Sequence, residues 1–223
     1  MDLLVFGDWG YGSEDDPYGA TGQYGDIRLE KKLHGDDDII RVGEGAGAVG
    51  SQTTSARVWA GDGDDEIDIT EGWYGHEIFG GRGDDTITFG GSYAGSAGTS
   101  TLNGGLGDDI FRAGADFSAT NNDSNTLTIN GGAGKNKYEG FPGAATLNIN
   151  GGDDDEVIVV GADVGTGTIN AGAGNDIVYG SGDADGASPG SITLSAFLDS
   201  GDDRFYGGES GLTESVYGGD GND

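Results

Sequence analysis

Short stretches of alternating apolar and polar residues recur along the chain. Examples are TLTIN at 126–130, TLNIN at 146–150 and EIDI at 66–69. Alternation with a period of two over four to six residues, rich in Thr, Ile and Val, is typical of β-strands. No segment has convincing helical periodicity, although RLEKKL at 28–33 could form one turn. The pattern therefore predicts an all-β chain built from many short strands.

Glycine-rich turns that end in an acidic residue separate these strands. They read GDGDDEI at 61–67, GRGDDTI at 81–87 and GLGDDIF at 105–111, with further copies at 172–178 and 219–223. When the last acidic position of each turn serves as a reference, successive turns lie 20 to 28 residues apart. The reference positions are Asp37, Asp65, Asp85, Asp109, Asn136, Glu156, Asp176, Asp203 and Asp223. A repeat of this length predicts a solenoid of about eight coils rather than a globule with one central core.

Two apolar columns accompany the turns. One lies two residues after each reference position, at Ile39, Ile67, Ile87, Phe111, Tyr138, Ile158, Val178 and Phe205. The other precedes the glycine pair, at Val58, Ile78, Leu102, Ile129, Ile149, Ile169 and Val216, and is ambiguous among Leu194, Ala196 and Phe197 in one coil. Each coil is therefore predicted to be turn, strand, second turn, strand, with a thin core between the columns. Insertions at 43–55, 90–98, 114–125 and 180–190 predict variable loops at the edge opposite the glycine turns.

The charge of the chain changes this picture. Asp and Glu number 40 against 10 Lys and Arg, a formal net charge of −30. Packed carboxylates repel each other in a compact state, and divalent cations are the simplest remedy. Nucleic acid is not an expected partner, because phosphate binding requires clustered Lys or Arg. There are no cysteines, so disulfides do not stabilise the chain.

Targeting signals are not evident. No apolar run approaches the length of a membrane span. The first residues lack the basic region of a cleaved signal peptide, so an extracellular protein would use another export route, or this sequence begins inside a longer chain. Residues 1–32, rich in aromatic side chains, are expected to form a degenerate N-terminal coil or cap, and residues 33–223 the repeat array.

A glycine turn that ends in a carboxylate is suited to Ca²⁺, because glycine permits positive φ and close approach of the backbone to an ion. The expected ligands are the acidic reference positions together with Asp155. The first acid of each pair either coordinates the Ca²⁺ ion directly or only lies near it and changes the local electric field. These residues are Asp36, Asp64, Asp84, Asp108 and Asp202. The turn glycines expected near the ions are Gly61, Gly63, Gly81, Gly83, Gly105, Gly107, Gly172 and Gly174.

The repeated phrase GGxGxDxUx, with U a large apolar residue, resembles the RTX, or haemolysin-type, calcium-binding repeats from about Leu33 onward. The resemblance implies a right-handed parallel β-roll with Ca²⁺ between successive turns, held by the motif aspartates and by carbonyls of the glycine turn. It also implies export in an unfolded state. The chain departs from the family in having one motif per coil, so one calcium edge is expected. Because Lys135 and Asn136 replace the acidic pair and Asp154 replaces a motif glycine, weak or empty sites are expected on either side of Asn136.

The function predicted from these observations is structural and non-enzymatic: a stalk, adhesin segment, surface-layer element or repeat region of a secreted or cell-surface protein. No nucleophile elbow, P-loop or zinc signature is present. An alternative is recognition of ice, mineral or polysaccharide by a polar array on one strand face. That array comprises Thr99, Thr101, Asn103, Thr126, Thr128, Asn130, Thr146, Asn148, Asn150, Thr166, Thr168 and Asn170. A third hypothesis is calcium-dependent end-to-end self-association.

Overall fold

A computed structural model describes residues 27–29, 37–42, 56–69, 75–90, 98–114, 126–141, 144–161, 164–180, 193–207 and 213–223. Most of the expected N-terminal cap lies outside these residues. So does Asp36, and so does nearly all of the four insertions predicted as loops.

The described residues form two parallel β-sheets and no helix. The first sheet, in spatial order, contains β1 (Ile27–Leu29), β3 (Ala56–Asp62), β5 (Glu77–Arg82), β7 (Thr99–Leu106), β9 (Thr126–Ala133), β11 (Thr146–Gly152), β13 (Thr166–Gly172), β15 (Thr193–Phe197) and β17 (Thr213–Tyr217). The second contains β2 (Ile39–Val42), β4 (Glu66–Ile69), β6 (Thr86–Phe89), β8 (Ile110–Ala113), β10 (Lys137–Glu139), β12 (Val157–Val159), β14 (Ile177–Tyr179) and β16 (Arg204–Tyr206). The described residues accordingly contain no helix that is long and apolar enough to cross a membrane.

The chain passes alternately from one sheet to the other. Each odd-numbered strand from β3 to β15 leads through a glycine turn into the next even-numbered strand, and a longer connection returns to the first sheet. Neighbours within a sheet are therefore equivalent strands of successive coils, and all of them pair in parallel. The predicted parallel β-roll is confirmed, with the glycine turns at one edge.

The core is a thin layer between the two sheets. Alternate side chains of each strand point inward, as the period of two requires. The column before the glycine pair is buried from Val58 to Ile169, and the facing column is buried from Ile67 to Val178. Ala196 pairs with Ile169 and with Val216, which resolves the ambiguous coil in favour of Ala196.

The first coil lies one residue away from the predicted register. Ile39 pairs with Glu66 and Ile40 with Ile67, so Ile40 and not Ile39 belongs to the buried column. The acid equivalent to Asp65 is accordingly Asp38 rather than Asp37. Three consecutive aspartates at 36–38 offer no local cue to register, and the pairing with the next strand decides it.

Candidate metal centre at the glycine turns

The glycine turns stack at contact distance. Gly81 and Gly83 have φ values of 131° and 117°, a region that side-chain-bearing residues rarely adopt. A methyl group on Gly81 would collide with the carbonyl oxygen of Gly61 in the preceding coil. Positive φ recurs at all eight predicted glycines: Gly61, Gly63, Gly81, Gly83, Gly105, Gly107, Gly172 and Gly174. The turns therefore require glycine both for backbone conformation and for space.

One residue of each turn points into the edge of the stack, and together these residues form the inner acidic column. The column consists of Asp38, Asp65, Asp85, Asp109, Asn136, Glu156, Asp176, Asp203 and Asp223. The backbone N–H of Asp65 donates to Oδ1 of Asp85 at 2.9 Å, and that of Asp85 donates to Oδ1 of Asp109 at 2.9 Å. The same bond recurs from Asp38 to Asn136 and again from Glu156 to Asp223, whereas neither Oε of Glu156 accepts such a bond, so the ladder has two parts.

The second carboxylate oxygens of this column are buried and have no hydrogen-bond partner. They are Oδ2 of Asp38, Asp65, Asp85, Asp109, Asp176 and Asp203, and both Oε atoms of Glu156. A buried oxygen that loses water without gaining a partner is costly, and an ionised one more so. A row of such atoms indicates a place for positive charge or for protons.

Burial changes the acidity of these groups. It raises the pKa of Asp85 and of Asp109 to about 7, and that of Asp65 to about 6, from an ordinary value of 3.8. Burial also raises the pKa of Glu156, with help from the charge of Asp176, and it raises the pKa of Asp176. A nearby cation would restore the ionised forms, because opposite charge favours ionisation.

Main-chain carbonyls lie beside the unpartnered oxygens. A methyl group on Gly104 would collide with Oδ2 of Asp109 and lie 2.7 Å from the carbonyl oxygen of Gly131 in the next coil. A methyl group on Gly80 would likewise collide with Oδ2 of Asp85, and it would lie 2.9 Å from the carbonyl oxygen of Gly104. At both of these turns a carboxylate oxygen lies next to a carbonyl oxygen, and these are the donor types that Ca²⁺ prefers.

Side chains alone do not complete a metal site. In the part of the chain that the structure describes, no three His, Cys, Asp or Glu side chains gather into a cluster that could hold a metal ion. Any ion here would depend on one or two carboxylates from adjacent coils together with backbone carbonyls.

The preceding residue of each turn forms a second ladder, the outer acidic column, on the solvent side. It consists of Asp37, Asp64, Asp84, Asp108, Lys135, Asp155, Asn175, Asp202 and Asn222. The backbone N–H of Asp108 donates to Oδ1 of Asp84 at 2.7 Å, yet both side chains are exposed. Asp37, predicted as a ligand at a reference position, and Asp155, predicted as an additional ligand, belong to this outer column. Direct ligation by it stays a prediction.

Sequence reasoning missed three contributors to this edge. Asp38 was hidden by the aspartate run, although the 27-residue spacing to Asp65 matches that of other coils. Gly80 and Gly104 were visible as the first glycine of each pair. Their role becomes evident only in the folded turn, where the carboxylate of Asp85 lies against Gly80 and that of Asp109 lies against Gly104.

The predicted polar array is in register on the outer face of the first sheet. Asn103, Asn130, Asn150 and Asn170 align, and each later amide donates to the preceding one at 2.7 to 2.8 Å. The threonines align likewise. The amide ladder stabilises stacking by itself. Recognition of ice, mineral or polysaccharide by this face stays a prediction.

Comparison with known proteins adds no relative: neither a family model, nor a curated protein, nor a solved structure matches the chain. The resemblance to haemolysin-type repeats therefore rests on the repeated motif and on the parallel fold that carries it.

Proposed function

We propose that this chain is a calcium-binding structural module whose coils are joined by ions along the inner acidic column. The observation that carries the proposal is the row of buried carboxylate oxygens without partners, two of which, on Asp85 and Asp109, lie beside main-chain carbonyl oxygens. Among the described residues these oxygens have no hydrogen-bond partner that would offset their charge, and a bound proton would supply only one bond.

The donor chemistry favours Ca²⁺ over other cations. Every available ligand is an oxygen, and the chain has no cysteine to recruit a softer metal. Ca²⁺ accepts six to eight oxygens in flexible geometry, whereas Mg²⁺ demands octahedral geometry and retains several waters. A turn edge lined by carbonyls and carboxylates suits the larger, more readily dehydrated ion.

Ion binding would be coupled to folding. The core is a thin layer, and the formal charge of −30 opposes compaction. Without cations the apolar burial must offset both chain entropy and carboxylate repulsion, so binding free energy becomes folding free energy. Sites of the extracellular-module class bind at about 10⁻⁴ to 10⁻³ M Ca²⁺. The module would then become rigid outside the cell, as a stalk, adhesin segment or surface-layer element requires.

The test is circular dichroism during calcium titration of protein first stripped with chelator. We expect the strand signal to be low in chelator at neutral pH and to recover with Ca²⁺ at millimolar levels, but not with equimolar Mg²⁺. Sodium chloride at matched ionic strength is the control, since screening alone relieves some repulsion. Full strand content in chelator, or equal recovery with sodium chloride, would contradict the proposal.

A further inference from the structure

The coil of Asn136 differs from its neighbours in the inner acidic column. Oδ1 of Asn136 accepts the backbone N–H of Asp109 at 3.0 Å, as the aspartates do for their own neighbours. Its Nδ2, which replaces the unpartnered oxygen, donates to the carbonyl of Gly134 at 3.1 Å. This coil therefore presents a buried side chain that is neutral and fully bonded.

Tyr138 fills the adjoining space. Its ring stacks on Phe111 in the apolar column, with centroids 5.2 Å apart, and its hydroxyl donates to the carbonyl of Asn150 at 3.3 Å. A methyl group on Gly131 would collide with this hydroxyl and with Nδ2 of Asn136, whereas at Gly104 it would collide with Oδ2 of Asp109. The phenol oxygen thus lies against the turn glycine where neighbouring coils place a carboxylate oxygen. Burial raises the pKa of Tyr138, so the hydroxyl keeps its proton.

The outer acidic column carries a positive charge at the same level. Nζ of Lys135 lies 2.7 Å from Oδ2 of Asp155 in the next coil. This ammonium lowers the pKa of Asp155 to about 2, so the pair is ionised at neutral pH. A covalently attached cation thus joins the two coils, and it would repel a metal ion nearby.

From these contacts we propose that the Asn136 coil is a metal-free joint that divides the calcium row into two separate rows. The first row is formed by Asp38, Asp65, Asp85 and Asp109, and the second by Glu156, Asp176, Asp203 and Asp223. Asn136, Tyr138 and Lys135 perform at the joint, with an amide, a hydroxyl and an ammonium, the bridging that ions perform elsewhere. The inference rests on the proposed function.

The joint has an electrostatic consequence. Asp109 and Glu156 lie two strand spacings apart, roughly 9.6 Å, against roughly 4.8 Å for adjacent acids. Doubling the separation halves the direct Coulomb interaction between two charges. Ions on one side of the joint would therefore influence loading on the other side less than adjacent ions within one row influence each other.

The test replaces the joint by a copy of the neighbouring coil. The triple variant Lys135→Asp/Asn136→Asp/Tyr138→Phe reproduces Asp108, Asp109 and Phe111 at the equivalent positions. Bound calcium is counted by isothermal titration calorimetry and by elemental analysis after dialysis against calcium. We expect at least one more ion per chain than in the unaltered protein. Calcium uptake by both proteins with equal counts would overturn the joint alone. Absence of uptake by the unaltered protein would overturn the proposed function as well.

The single variant Tyr138→Phe is the matched control, and it tests the joint independently if the triple variant does not fold. It removes only the hydroxyl, so the calcium count should equal that of the unaltered protein, while the melting temperature in saturating calcium falls because the bond to Asn150 is lost. Loss of an ion in this variant would show that the phenol is a ligand, and the joint would be overturned.

Discussion

The inner and outer acidic columns are adjacent in sequence and bonded alike, yet they meet opposite environments. Asp84 and Asp85 each accept a backbone N–H from a neighbouring coil through Oδ1. Asp84 is exposed, so its second oxygen remains in water, whereas Asp85 is fully buried and its second oxygen has no partner. The motif therefore supplies two acids per turn that accept the same kind of backbone bond, and only one of them has a second oxygen that is buried without a partner.

Turn geometry is what separates the two columns, so the largest effect is expected from altering it. Gly81→Ala introduces a side chain at a φ of 131° and against the carbonyl oxygen of Gly61. We expect a loss of about 3 kcal/mol or more in the free energy of unfolding, measured by denaturant titration in saturating calcium. The control is Gly140→Ala, where φ is 53° and the nearest atom to the new methyl group is 3.7 Å away. Equal losses in the two variants would show that close stacking of the turns is not what requires glycine.

An intermediate effect is expected from neutralising the inner column alone. Asp85→Asn/Asp109→Asn keeps the Oδ1 acceptors but removes two buried charges. In the presence of calcium we expect affinity to fall at least about tenfold, since ligands are lost. In chelator the sign reverses, and the variant should retain more strand structure than the unaltered protein, because two fewer carboxylates are left buried.

The matched control lies one residue away in each turn. Asp84→Asn/Asp108→Asn makes the same chemical change in the outer column, where surface substitutions alter stability by about 0.5 kcal/mol or less. Calorimetric titration and thermal melting compare the two pairs. Equal loss of calcium affinity in both would remove the distinction between the columns and make the outer acids ligands.

The smallest effect expected is a dependence of the calcium-free fold on pH. Asp85 and Asp109 have a pKa of about 7 in the folded chain and near 3.8 when unfolded, so the folded state binds their protons more tightly. The resulting stabilisation is complete below the unfolded pKa and is lost as pH rises through the folded pKa. Strand content in chelator should therefore increase on acidification from about pH 8 to about pH 5. The outer-column variant should respond like the unaltered protein, and the inner-column variant less. A stable fold that weakens on acidification over this range would contradict the raised pKa values.

Much of the architecture could be read from residue order. Alternation at 126–130 and 146–150 specifies strands because successive side chains point to opposite faces. The repeat of GDD followed by an apolar residue two positions later specifies stacking, because a parallel coil places equivalent residues over each other. Positive φ at Gly81 and Gly83 was predictable for the same reason, since a tight turn at every coil leaves few residues that can occupy it.

Other features depended on contacts between coils. The register of Asp36, Asp37 and Asp38 is not encoded locally, because three identical residues satisfy the motif equally well, and pairing of Ile40 with Ile67 decides among them. Likewise, Tyr138 in sequence is one more apolar position. Only the packed stack places its hydroxyl against Gly131, the location that Asp109 Oδ2 takes beside Gly104.

The class of fold, the edge where the acids gather and the glycines at that edge are thus predictable from residue order, since they follow from periodicity and local conformational preference. Packing between coils is what buries one acid of each pair and places the hydroxyl of Tyr138 against a turn glycine. Whether a side chain is buried depends on the neighbouring coils that pack against it, and the type of residue alone does not specify this.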